Sequence, residues 1–294
     1  MPGPPLLHLI DLHTHTDESD GTVAPGRLVE MARSIGLEAL GICDHDTLAG
    51  YDQAIAPARA AGLELVCGIE LSTRRRRRPE ERGQPVHVLG YFLNAPPSAE
   101  FRAWIERLQD SRRDRNRRLA ARLQSLGLDI QLEEVIRMGR SLAGRPHFAR
   151  LMVEKGYVST IQQAFELYLG ESAQAYVERE EPDLQDGIRR IADAGGLPSL
   201  AHPVRLSKRA QVMERLVAEM HDLGLRAIEV WHSEHGPRDV ELYLALARRH
   251  GWAVTGGTDF HGDTKPGLAL GTGYGNVAVT REVLDNLRVL SARR

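Results

Sequence analysis

Short apolar runs alternate with amphipathic segments along two stretches of the chain. Residues 6–10 (LLHLI), 38–43 (EALGIC), 63–71 (LELVCGIEL) and 85–92 (PVHVLGYF) have the length and apolar content of buried strands. The rhythm returns at 197–203 (LPSLAHP), 227–232 (AIEVWH) and 252–260 (WAVTGGTDF). Helix-period segments lie between them. Pro25 opens one that runs to Ile35, with Gly36 placed to end it, and another over 54–61 stops at Gly62, with Pro57 expected to kink it. Further helices are predicted over 208–221 and 239–250, and a last strand–helix pair (NVAVT, then REVLDNLRVL) closes the chain. Seven short strands alternating with helices predict an α/β fold of parallel βα units, and right-handed crossovers favour closure into a barrel.

From 95 to 194 the strand rhythm stops. Helical patterns at 99–126, 132–138, 146–155 and 160–169 follow one another, entered through Ala95-Pro96-Pro97. The predicted organisation is a β/α barrel built from 1–94 and 195–294, with an all-helical cap inserted over 95–194. An insertion after a barrel strand is expected over the face where barrels keep their loops and their chemistry.

Metal-liking side chains concentrate at that face. His13, His15, Asp20, His45, Glu70, His202, Asp259 and His261 each sit at or just after the end of an apolar run, whereas His87 falls inside one. Histidines two apart in an extended segment share a face, so His13 and His15 can reach one cation, and Asp259 and His261 repeat the spacing. Glu70 ends an apolar run and is expected to be partly buried, which is costly for a carboxylate unless cations lie beside it. Arg145 and His147, in GRPHFA, stand where a helix begins, and a helix N-terminus with a guanidinium makes an anion site. His8 reads as a packed core residue, and His221 and His250 as helix-end residues favoured by the dipole.

Composition narrows the class. Hydrophobic residues make up 42% and charged residues 27%, ordinary for a globular domain, and a formal net charge of −2 gives no overall pull toward duplex DNA or an anionic membrane. No apolar stretch approaches the ~18 residues of a membrane span, and the first residues lack the basic start of a signal peptide, so a cytoplasmic protein is expected. Cys43 and Cys67 fall inside apolar runs and read as buried free thiols. Two segments are locally basic: Arg74–Arg78, and 100–122 with eight arginines against four acids. They suit a polyanionic substrate at a cleft as readily as a solvated surface.

Taken together, HTHTDESDG, GICDHDT, the GIEL around Glu70, VHVLGYF, LAHPV and GGTDFHG resemble the PHP (polymerase and histidinol phosphatase) family of metal-dependent phosphoesterases. The resemblance spans 8–94 and about 195–262, and implies a distorted seven-stranded β/α barrel. It also implies a trinuclear site. His13, His15, Glu70 and Asp259 would hold one metal, Glu70 would bridge to a second held by His87 and His202, and Asp20, His45 and His261 would hold the third. Two to three divalent ions are expected, Mn²⁺ foremost, with Fe²⁺ or Zn²⁺ suiting the same ligands. The implied chemistry is in-line attack on phosphorus by a metal-bridging hydroxide, with Glu70 as the bridge and no protein nucleophile, so Ser19, Ser72 and Cys43 have no such role.

Within the family, the helical cap and the motifs GYF, GRPHFA and EVWHSEH resemble the subgroup that removes the 3′-phosphate of nucleoside 3′,5′-bisphosphates and trims short RNA from its 5′ end. That resemblance implies Arg145, His147 and His235 as substrate-binding residues, with His235 also donating a proton to the leaving oxygen and His232 structural. Histidinol-phosphate phosphatase, or another small-molecule phosphatase of the same family, is the alternative. Amidohydrolase barrels also open with HxH, but many need a carboxylated lysine on a strand, and none of Lys155, Lys208 and Lys265 occupies one. A degenerate barrel kept only for binding would show gaps in the ligand set, and every expected position is filled.

Overall fold

In the computed structural model the described residues are 9–292 apart from 77, 79, 80, 140 and 141, so the expectations placed on His8 and Arg77 lie outside them. The strands are β1 (Leu9–Thr14), β2 (Ala39–Ile42), β3 (Glu64–Arg75), β4 (Gln84–Phe92), β5 (Leu197–Leu200), β6 (Ala227–Trp231), β7 (Ala253–Gly256) and β8 (Val279–Thr280). They form one sheet in the order β7-β6-β5-β4-β3-β2-β1-β8. Beyond β7, Asp259 N donates to His13 O at 2.8 Å and His15 N to Phe260 O at 2.9 Å, so the two ends of the sheet meet and the barrel nearly closes. Gly257 permits that approach, because a Cβ there would lie 2.3 Å from His13 N.

Two expectations are corrected. The sheet has eight strands rather than seven, the eighth being two residues of the closing NVAVT run, antiparallel to β1. Nor is the sheet all parallel, since β4 runs antiparallel to both β3 and β5. The connection between β3 and β4, residues 76–83, is shorter than the dozen or so residues a parallel crossover needs, so the chain turns straight back.

That reversal sets the path of the helical segment. Phe92 pairs with Cys67, so β4 leaves the sheet at the end away from the loops after β1, β2 and β7. The 27-residue helix α3 (Ala99–Ser125; α1 is Pro25–Ser34 and α2 Ala49–Ala61) then spans about 40 Å at about 1.5 Å per residue, enough to return to the loop face. Its first half packs Phe101, Trp104, Ile105 and Leu108 into the barrel-side core. Its second half joins α4 (Leu132–Gly139), α5 (Arg145–Glu154) and α6 (Ile161–Ala164), where Leu119, Leu123, Val135, Phe148, Met152 and Leu169 gather in a core of their own. Burial of each such side chain stabilises by about 1.5–3 kcal/mol.

A turn of π-helix at Phe165–Leu169 continues α6. The sequence pattern did not single out α7 (Leu184–Asp193), although Asp183 caps it and Leu184, Ile188 and Ile191 have helical spacing. These three pack with β3 and β4 residues in the barrel-side core. The fold is completed by α8 (Ala210–Asp222), α9 (Pro237–His250) and α10 (Arg281–Ser291).

Cys43 and Cys67 are buried free thiols, and burial pushes Cys67 up to about 12. Neither is expected to react with Ellman's reagent at pH 8 in the native protein, while both should titrate in denaturant. Stoichiometric labelling without denaturant would contradict this packing.

Candidate metal centre

Strand ends and the reversed strand deliver all nine predicted ligands to one place. His13 lies in β1 and His15 just beyond it, His45 follows β2, His202 follows β5, and Asp259 and His261 follow β7. Glu70 lies inside β3, which continues to Arg75, rather than at a strand end. His87 looked out of phase only because strand direction is invisible in an apolar run. With β4 antiparallel, Ser72 pairs with His87, so the start of β4 shares the loop face with the ends of the other strands.

The innermost group is His13, His15, Glu70 and Asp259, all buried. His13 Nε2 and His15 Nε2 face each other at 3.2 Å. Glu70 Oε2 lies 3.3 and 3.1 Å from these two atoms, and Asp259 Oδ1 lies 3.5 and 3.2 Å from them. A tetrahedron of ligands about 2.0–2.1 Å from a central cation has edges of about 3.3–3.4 Å. The spacing therefore fits a divalent ion, and Asp259 Oδ1 is otherwise buried with no hydrogen-bond partner among the described residues.

Glu70 divides its two oxygens. Oε1 contacts His87 Nδ1 and His202 Nε2, each at 2.7 Å, while Oε2 also faces His45 Nδ1 at 3.3 Å. Burial alone would raise this carboxyl, but the imidazoles of His45, His87 and His13 outweigh it and hold it well below the usual range. A third group joins Asp20 to His261 Nε2 at 3.1 Å, and to His45 Nε2 and His15 Nδ1 at 3.7 Å each. His15 thus turns one nitrogen to each of two groups.

Strain marks the site. Among non-glycine described residues, positive φ occurs at Asp46 (53°), His202 (26°) and Asp259 (57°). Such backbone costs on the order of 1–3 kcal/mol each and persists only where surroundings enforce it. His202 N donates to Glu229 Oε2 at 2.7 Å, and Asp46 accepts from Ser72 N at 2.8 Å.

Sequence reasoning missed Glu229. It is fully buried, and its Oε1 lies 2.8 Å from His13 Nδ1. From the β6 loop, the side chain that faces the cluster is His232, whose Nε2 lies 3.3 Å from Asp259 Oδ2. His235 sits behind it against Tyr243, its Nδ1 2.8 Å from Val230 O, and lines neither chamber described below. His147 is likewise buried, its Nδ1 accepting from Gly144 N at 2.9 Å to cap α5, and it too lines neither chamber. Arg145 does line one.

Two chambers meet at Asp20, His45, Pro146 and Phe165. The smaller, about 180 Å³, brings Arg74, Arg112, Arg115, Arg145 and Arg179 beside His87. Arg112 and Arg179 both bond Asp46 Oδ2, and Arg74 bonds Glu181 at 2.5 Å and Glu171 at 2.6 Å. Among the described residues Arg115 donates only to Asn116 Oδ1, at 3.0 Å. Burial, together with Arg179, Arg112 and Arg145, holds its guanidinium well below the usual range. Five guanidiniums thus face four carboxylates, Asp20, Asp46, Glu171 and Glu181. Elsewhere the basic segments are largely neutralised: Arg75 pairs with Glu219, Arg102 with Asp52, and Arg113 with Asp110.

A nearly closed α/β barrel with clustered imidazoles and carboxylates at one mouth defines a class of metal-dependent hydrolase, and comparison with known proteins gives the family. The PHP domain family matches residues 11–196, and the chain belongs to it. The chain is 29% identical to a 3′,5′-nucleoside bisphosphate phosphatase of Chromobacterium violaceum, over 89% of this chain and 90% of that protein. It is 33% identical to the 5′-3′ exoribonuclease Rnm of Escherichia coli, over 86% and 85%. A solved structure from Bifidobacterium adolescentis, described as a metal-dependent phosphoesterase, superposes with a TM-score of 0.81 at 30% identity, covering 97% of each chain. The protein is a metal-dependent phosphoesterase of the PHP family, a hydrolase of phosphate esters. None of its described helices is long and apolar enough to cross a membrane.

Proposed function

We propose that this chain removes the 3′-phosphate of nucleoside 3′,5′-bisphosphates, giving a 5′-nucleotide and phosphate, and trims short RNA from the 5′ end. Both reactions break the same bond, between phosphorus and O3′. The observation that carries this reading is the arginine chamber opening onto the ligand cluster. One cleft thereby offers two anion positions, one at His13, His15, Glu70 and Asp259 and one at Arg115, Arg145 and Arg179. Histidinol phosphate has one phosphate and would leave the second position empty.

When bound, divalent cations, Mn²⁺ in this reading, neutralise phosphate charge and lower the pKa of water toward neutrality. The chain's part is placement. Glu70 holds two groups of imidazoles in fixed relation through its two oxygens. Lys265 Nζ at 2.5 Å and Arg205 at 2.9 Å balance the charge of Asp259. Arg115, with little internal compensation, is satisfied by a substrate dianion. His45 and Asp20 line both chambers.

Phosphate release with Mn²⁺ tests the reading on adenosine 3′,5′-bisphosphate, adenosine 3′-monophosphate and histidinol phosphate. A charge-assisted contact of about 1.5–3 kcal/mol predicts roughly 10- to 150-fold higher kcat/KM for the bisphosphate than for the 3′-monophosphate. Equal turnover of all three would remove the assignment.

A further inference from the structure

The larger chamber, about 480 Å³, meets the arginine chamber at Asp20 and His45 and also reaches Asp259 and His261. Its walls include the apolar surfaces of Pro146, Ile161, Phe165 and Pro266, and three cations reach it. Two of these are already engaged: Arg205 by Glu234 and Asp259, and Lys265 by Asp259. Arg150, on α5, is different. Its Nε and Nη2 are enclosed yet have no hydrogen-bond partner among the described residues. An enclosed donor left unmade costs about 1–3 kcal/mol, more for a charged group, unless a ligand completes it.

We propose that Arg150 forms a third anion position, which binds the phosphate one nucleotide beyond the scissile bond of an oligonucleotide. The inference rests on the functional reading above. A nucleoside bisphosphate fills the arginine chamber and the ligand cluster and has nothing left for Arg150. A chain of three nucleotides with a 5′-phosphate loses its first nucleotide as the leaving group, and carries a third phosphate on the side that keeps the scissile phosphorus, where its second nucleoside meets the apolar wall. Of the bound species, only an oligomer uses all three positions. The chamber is thus what lets one site act on both a mononucleotide and the end of an RNA.

The test compares kcat/KM of wild type and Arg150→Met on pAp, pApA and pApApA. The expected result is a loss of about tenfold on pApApA, the size of one charge-assisted contact, with pAp and pApA within about twofold. Retained pAp turnover serves as the folding control, and Arg150→Lys should recover part of the loss. An equal loss on pAp and pApApA would place Arg150 at the first nucleotide and overturn the proposal, as would wild-type behaviour on all three. Should the wild type cleave pAp while Arg150→Met treats pApApA normally, this assignment falls and the functional reading stands. If the wild type cleaves none of them, both fall.

Discussion

Glu70→Ala is expected to lose bound divalent metal and phosphatase activity together, with kcat/KM falling by about a thousandfold or more. The size follows from the chemistry a cation supplies, several kcal/mol of charge stabilisation at about 1.4 kcal/mol per tenfold. The coupling of the two losses follows from geometry. Oε2 stands within 3.3 Å of both His13 and His15, which with Asp259 could hold one cation, while Oε1 stands 2.7 Å from both His87 and His202. Removing one side chain therefore opens two ligand groups at once. Glu70→Gln is the sharper variant, because it keeps volume and removes only charge and one acceptor. It should fill the same space, hold fewer metal equivalents after gel filtration, and remain inactive. Metal content by elemental analysis, measured beside activity, checks the claim. A Glu70→Ala protein that retains wild-type metal and turns over within about threefold would show that Glu70 bridges nothing.

Two pieces of the candidate ligand cluster were legible because each is local in the sequence. His13 with His15, and Asp259 with His261, sit two apart beyond apolar runs, and period-2 geometry fixes their common face without knowledge of the rest. Strand direction was not legible. An apolar run reads the same both ways, so β4 passed as one more parallel strand and His87 as an exception, until the pairing of Ser72 with His87 explained both. Buried charge was the other blind spot. Arg74 and Arg112 stand in segments that look like solvated basic surface, yet their partners lie far along the chain. Arg74 meets Glu181, Arg112 meets Asp46, and Asp46 also meets Arg179. A charge run says nothing about counter-ions that distant, so the arginine chamber emerged only with the fold. The histidines after β6 were a further limit of the sequence. Spacing alone could not decide between His232 and His235, and the turn aims His232 at Asp259 while tucking His235 under α9.

Glu229 is where a residue without direct contact to substrate is expected to matter most. Its Oε1 lies 2.8 Å from His13 Nδ1, so an ionised Glu229 accepts that N–H and leaves Nε2 of His13 free for a cation. Its Oε2 accepts from His202 N at 2.7 Å and so pins the left-handed backbone that carries a second ligand. Burial opposes ionisation, but His13, His232 and His202 hold the carboxyl down to about 2, so both acceptors persist throughout the working pH range. Glutamine replaces one of the two oxygens with an NH2 group, so one of the two N–H groups, which sit on opposite oxygens, would face a donor in place of an acceptor. Glu229→Gln is therefore expected to weaken Mn²⁺ binding by about 10- to 100-fold, the usual cost of losing such a partner, and to lower activity at limiting Mn²⁺ more than at saturation. Titration of the metal-free protein, followed by the Mn²⁺ electron paramagnetic resonance signal, reads the affinity directly. The melting temperature of the same metal-free samples separates a positioning role from a structural one. A purely structural Glu229 would lower the melting temperature and leave the Mn²⁺ affinity where it was, and that outcome would end the claim that this carboxylate orients His13.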